Sequence, residues 1–404
     1  MSRLVMLRVG GMRAAGVALS LSALAALAAC SGSGLGLGRG RGPEIGSAPV
    51  TGEVLGTGAV KVGLLLPLSA TGNAGQLALN MRNAADLAIR DFQTANIQIL
   101  VKDDRGTPEG ARAAASQAIS EGAELILGPL FARSVTAVAT VAKAANVPVV
   151  AFSTDSTVAS RDVYLLSFLP HGDVDRIVGF AAAKGKRSIA ALLPNTAEGT
   201  LYEAALQRAV ANAAGRVMTV AKYDLDKVSM QSQATAVASL VNAGTVDAIF
   251  MPDAGDAAPF LAQVLAANGI TSSKIAFLGS GQWDDARIAA ESNLNGAWYP
   301  APDAGGFSGF AQRYQAAFGA PPFRAATLAY DAASLAAGLS ARFGAERFSA
   351  QVMTNPSGFI GIDGAFRFLA NGTSQRGLAI FQIGAGKASV IDPAPKTFSK
   401  APGA

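Results

Sequence analysis

The chain has 404 residues, half of them hydrophobic, with one histidine, one cysteine and a formal charge of +5. One histidine and one cysteine exclude a Cys–His catalytic pair and any multi-histidine metal centre. Arg3, Arg8 and Arg13 precede the first acid; without them the chain carries about +2, with no clustered basic footprint of the kind nucleic acid requires.

The arginines lead into an apolar run at 14–29, broken only by Gly16, Ser20 and Ser22. A positive start, an apolar middle and small residues before a cut predict a signal peptide over 1–29. At about 16 residues the run falls short of the roughly 20 that span a bilayer. Leu27-Ala28-Ala29-Cys30 resembles the bacterial lipobox, which implies cleavage before Cys30 and diacylation of its thiol. Lipidation also explains a lone cysteine in an exported chain, and two or three acyl chains hold far better than one, each buried CH₂ adding about 0.8 kcal/mol. Residues 31–57 are rich in Gly and Ser and predict a flexible tether, about 30 Å end to end as a random coil. Gly34, Gly36, Gly38, Gly40 and Gly42 follow no strand and fit no G-x-G-x-x-G spacing, so they are not a nucleotide loop.

From residue 61 short apolar strands alternate with helices. Strands are expected at 61–66, 97–101, 125–127 and 147–152. Helices are expected after the first strand, where Met81, Ala84, Ala85, Ala88 and Phe92 share one face, and at 110–120 and 135–145. After an extended stretch at 164–169 the pattern restarts, with strands at 188–193, 217–223, 248–251 and 275–278 and helices at 200–213, 231–242 and 257–267. Residues 297–299 are a candidate return strand. Helices at 307–318 and 325–343 follow with no strand between them, and a closing hairpin pairs 365–369 with 378–383 around Asn371-Gly372. Near-continuous apolar strands between helices mean parallel sheets covered on both faces.

This order resembles the type I periplasmic binding proteins, in the leucine/isoleucine/valine-binding branch, over residues 58 to about 390. The resemblance rests on Val62-Gly63-Leu64-Leu65-Leu66-Pro67-Leu68-Ser69, Ile126-Leu127-Gly128-Pro129, Pro148-Val149-Val150-Ala151-Phe152-Ser153, Ala329-Tyr330-Asp331-Ala332 and Gly364-Ala365-Phe366-Arg367-Phe368 with Asn371-Gly372. It implies an α/β, two-lobed clamshell, each lobe a mainly parallel sheet with helices on both faces. The binding domain is expected at 58–395 and a flexible tail at 396–404. Lobe one would take about 58–168 and 298–342, and lobe two about 173–297 and 343–395. His171 would lie near a crossing between them, exposed beside Gly172.

Ligands of open parallel sheets bind outside the carboxyl ends of the strands, where helix N-termini suit a carboxylate. Ser69, Ser134, Ser153 and Thr154 are the expected first-lobe contacts. The last three match family positions that hold an α-carboxylate, and Asp155 is a candidate for an ammonium group. In the second lobe Ala254 and Gln282 stand where branched-chain binders tend to carry tyrosine and glutamate. An amide cannot neutralise an ammonium, so either Asp253 or Glu198 substitutes or the ligand is not an amino acid.

No catalytic motif spacing occurs, and no enzyme activity, cofactor or metal is expected. Two roles follow from the resemblance. One is a lipid-anchored receptor, expected as a monomer, that delivers an amino-acid-like solute to an ABC permease. The other is a penicillin-binding protein activator, a lipoprotein that stimulates a peptidoglycan synthase. Ser31 after the lipidated cysteine implies the outer membrane in a two-membrane cell.

Overall fold

The computed structural model describes residues 48–92 and 96–398. The expected signal peptide, Cys30, most of the expected tether and residues 399–404 lie outside them.

The first sheet has six strands: β1 (Val54–Leu55), β2 (Val60–Leu66), β3 (Ile97–Asp103), β4 (Leu125–Leu127), β5 (Val149–Ala151) and β6 (Val163–Leu165), in the order β1-β3-β2-β4-β5-β6. All pairs are parallel except β1 on β3. Side chains alternate across each strand, so the run in β2 feeds two cores. Val62, Leu64 and Leu66 meet α1 (Gly72–Asp91), while Leu65 and Ile126 meet α2 (Pro108–Ser120) and α3 (Ala132–Ala144).

The second unit starts at α4 (Pro170–Ala183) and continues β7 (Ser188–Pro194), α5 (Ala197–Asn212), β8 (Arg216–Tyr223), α6 (Lys227–Asn242), β9 (Ala248–Phe250), α7 (Ala257–Ala267), β10 (Ala276–Leu278), α8 (Ala286–Ala289) and β11 (Trp298–Ala301). The chain then returns to the first core through α9 (Ala304–Phe318), α10 (Ala326–Arg342), α11 (Ala350–Met353) and a small sheet of β12 (Phe359–Gly361), β13 (Gly364–Phe368) and β14 (Ser374–Arg376). It ends in β15 (Ala379–Gly384) and β16 (Lys387–Asp392), which complete the second sheet in the order β16-β15-β11-β10-β9-β7-β8.

Five corrections follow. Residues 48–57 are not tether: β1 pairs with β3, and Thr51 bonds Glu121 through its N–H (3.2 Å) and hydroxyl (2.9 Å). Glu121 is itself in a buried ion pair with Lys102 at 2.7 Å. The expected closing hairpin is two pieces. Asn371-Gly372 does turn the chain, from β13 into β14, but Gly372 packs directly on the Ser160 and Val163 carbonyls of the first lobe. β15 pairs instead with β11 and β16. Residues 298–301, expected in lobe one, are therefore a strand of the second sheet. Phe348, Met353, Phe366 and Phe368, expected in lobe two, lie in the first core because Phe368 packs on Tyr164 at 5.1 Å. Within the expected tail, Phe398 is held under Arg367 at 4.7 Å.

Three segments cross between the sheets. The first runs from the carboxyl end of β6 to the start of α4, and the second from the carboxyl end of β11 to α9. The third enters β15 at Ala379, opposite Ala301. All three crossings thus sit at the carboxyl ends of the parallel strands, and those ends of the two sheets are turned toward one another.

Candidate functional site

The first wall of this cleft is made by the loops after β2, β3, β4 and β5. Ser69 is exposed, and its N–H donates to Asp103 Oδ1 at 3.2 Å. Burial raises the Asp103 carboxyl, but hydrogen bonds from Ser69 and the Arg105 N–H outweigh it and hold it below its usual range. Asp104 is fully buried and accepts the Gly106 N–H at 2.8 Å; burial pushes it up to about 6.

Ser134 is the third residue of α3. It is 1 % exposed, and its hydroxyl has no hydrogen-bond partner. Phe131 at the N-cap offers no side-chain bond, and no acid occupies the first turn, so the N–H groups and positive dipole end of α3 are uncompensated. By contrast Thr107 caps α2 through the Gly110 N–H at 3.0 Å. Ser153 is buried and accepts the Asp155 N–H at 3.2 Å, and Thr154 beside it is exposed. Asp155 is occupied locally: it accepts the Thr157 N–H at 2.9 Å and the Thr157 hydroxyl at 2.6 Å, capping a short turn.

The second wall gathers Glu198 in the first turn of α5, Asp253 after β9 and Gln282 after β10. Gln282 Nε2 donates to Glu198 Oε1 at 2.7 Å and, more weakly, to the Tyr202 hydroxyl at 3.4 Å. Asp253 accepts the Tyr223 hydroxyl at 2.9 Å, and its carbonyl takes the Trp283 ring N–H at 3.1 Å. The Glu198 carboxyl is pushed up, first by burial and then by the charge of Asp253, against the Gln282 hydrogen bond. Gln282 therefore holds the acid in place, and the negative charge at this wall belongs to Glu198 and Asp253. The composition of the loops flagged these three residues. Tyr202, Tyr223 and Trp283 were missed, although Tyr202 lies one helical turn from Glu198 and Tyr223 ends β8. His171 is half-buried in the first turn of α4 rather than exposed, and burial lowers its pKa. Among the described residues no group of His, Cys, Asp and Glu could hold a metal ion, and no helix is long and apolar enough to cross a membrane.

Two covered parallel sheets with facing carboxyl ends, three crossings and polar loops on both walls define a two-lobed α/β binding protein. A periplasmic binding protein family model matches residues 59–388, and the chain belongs to that family. Its members bind solutes and are not enzymes. The fold is similar to that of a putative branched-chain amino acid ABC transporter protein from Rhodospirillum rubrum, with a TM-score of 0.72, 19% identity, and coverage of 82% of this chain and 100% of that one. It is also similar to an ABC transporter solute-binding protein of R. palustris in complex with benzoate (TM-score 0.58, 20% identity, coverage 85% and 98%). A third likeness is to an ABC transporter substrate-binding protein from Desulfitobacterium hafniense in complex with Leu (TM-score 0.59, 14% identity, coverage 82% and 99%). No curated protein sequence matches the chain significantly.

Proposed function

We propose that the protein is an extracytoplasmic solute-binding lipoprotein, anchored through Cys30, that captures a small amino-acid-like solute between its lobes for an ABC-type importer. The observation that carries this reading is the buried, unpartnered Ser134 hydroxyl at an uncapped helix start. A carboxylate seated there accepts the Ser134 hydroxyl and the free α3 N–H groups, with Ser153 and Thr154 beside it. The leucine and benzoate carried by two of the similar structures share a carboxylate and little else. Glu198 and Asp253 on the other wall suit a cationic group, which favours a zwitterion over a plain aromatic acid.

The test is a thermal-midpoint screen of the protein against amino acids, their derivatives and aromatic carboxylates. A true ligand at a hundred times its dissociation constant adds about 2.7 kcal/mol. Ser134→Ala is expected to weaken every carboxylate ligand, and Glu198→Gln only those carrying a cation. If no solute shifts the midpoint while the protein retains a glycosyltransferase-transpeptidase in pull-down, the uptake role is wrong and the activator role replaces it.

A further inference from the structure

Arg376 is the last residue of β14, just before the third crossing. Its Nε donates to the Ser167 carbonyl of the first crossing at 3.1 Å, and its guanidinium lies 4.8 Å from the Phe168 ring. Arg324 faces the same ring at 5.3 Å. Among the described residues both Nη1 and Nη2 of Arg376 are buried with no hydrogen-bond partner. A buried guanidinium with its fork unpaired is costly and asks for an acid.

Three carboxyls lie around it. Asp363 is occupied by Arg324 at 2.5 Å and the Thr327 hydroxyl at 2.6 Å. Asp331 accepts the Ile362 N–H at 2.7 Å through Oδ1 and keeps a buried Oδ2 with no partner, and both of these acids belong to the same lobe as Arg376, so neither can tie the two lobes together. Asp173 belongs to the other lobe, in the first turn of α4 directly after the first crossing. Its one hydrogen bond is from the Gly281 N–H at 2.8 Å, leaving acceptor capacity free. Arg376 also borders a cavity of about 530 Å³ shared with His171 and Ser374, which leaves room for its head to swing.

We propose that Arg376 is an interlobe latch: rotation of the lobes about the crossings brings Asp173 onto the free Nη groups, and the resulting ion pair stabilises the closed form. The inference rests on the reading that the lobes close over a solute. Its components couple to the cleft. Burial raises Asp173 to about 7, opposed by the Gly281 N–H and by Arg376 and reinforced by the charge of Glu198. Tyr202 of α5 and Glu198 face it from one side, Gly281 after β10 and Arg376 of β14 from others, and His171 shares its helix. A cation seated at Glu198 relieves the repulsion, charges Asp173 and thereby strengthens the latch. The same pair strengthens as pH rises through neutrality, because Asp173 must be ionised to pair.

The test needs no solute, so its failure can be told apart from a failure of the transport reading. Spin labels go on the full chain carrying Cys30→Ser, Leu79→Cys and Val228→Cys, two exposed positions on opposite lobes. Interlobe distances are measured by pulsed electron resonance at about pH 5.5 and about pH 8. The parent is expected to gain about threefold to tenfold in its short-distance population at the higher pH. Asp173→Asn, which keeps the acceptor for Gly281, should show the acidic distribution at both values. Burial pushes Asp331 up to about 7 as well, so Asp331→Asn separates the two acids: it should keep the parental response, and its loss there overturns the proposal. Arg376→Gln is the second variant, expected to behave as Asp173→Asn. A parent that does not respond to pH, or either latch variant that retains the full response, overturns the proposal.

Discussion

Asp104 shows what burial does to a single carboxyl. It has one backbone donor, no cation and Asp103 as its chain neighbour, and its pKa rises to about 6. The folded state therefore binds this proton more tightly than the unfolded chain does. The stabilising contribution of the protonated form is complete below the unfolded value of about 4 and is lost as pH rises through about 6. Asp104→Asn, which retains the acceptor for Gly106, should stabilise the protein at pH 7 by about 1–3 kcal/mol. It should also flatten the urea-midpoint profile between about pH 4 and about pH 6. An unchanged profile would show that the group is ionised throughout. Ser134, Glu198 and Asp253 were legible as candidates because their loops follow strands. That Asp155 caps its own turn, and that Gln282 positions Glu198, depends on side-chain directions that spacing does not encode.

Elements join the fold through partners distant in sequence. The strand β1 has only two residues and no propensity signal, yet it is held because Thr51 satisfies a buried ion pair. Glu121 is raised by burial but lowered further by its bonds from Lys102, Thr51 and Gln117, so it stays ionised at neutral pH. Removing one member leaves the Lys102 charge buried and unpaired, a loss of about 3–5 kcal/mol. Glu121→Ala should show that drop in denaturant unfolding, with faster proteolysis of residues 48–57. Thr51→Ala should lose about 1 kcal/mol. Equal stability in Glu121→Ala would mean that the pair is solvated. Two helix starts make the same packing demand: a Cβ at Gly75 would stand 1.9 Å from the Ala70 carbonyl oxygen, and one at Gly199 equally close to that of Pro194.

At the level of the whole molecule the lobes are not consecutive stretches of chain. The second sheet takes β7–β11 from the middle and β15–β16 from the end, and its core needs Tyr299, Ala301, Ala379, Phe381 and Ile383. Residues 170–297 expressed alone lack β11 and β15, leaving β10 as an unpaired apolar edge. That fragment should show no cooperative thermal transition by circular dichroism. A sharp transition would mean that the middle segment folds by itself, contrary to the shared core.

The alternation of apolar strands with helices was legible from residue 61 because a parallel sheet buried on both faces leaves a continuous apolar run in each strand. The two-lobed class, the carboxyl-end loops and the helix pair without an intervening strand followed from that local signal. What the tertiary structure decided was which core each late segment enters. Residues 298–301 and 379–392 pair in the second sheet, while 304–376 return to the first, because strand partners are chosen by edge complementarity and crossing geometry. The clustering of Arg324, Arg376, Asp173, Asp331 and Asp363 at the crossings has the same origin. Those residues are scattered over two hundred positions, and only closure of the chain brings their charges within reach of one another.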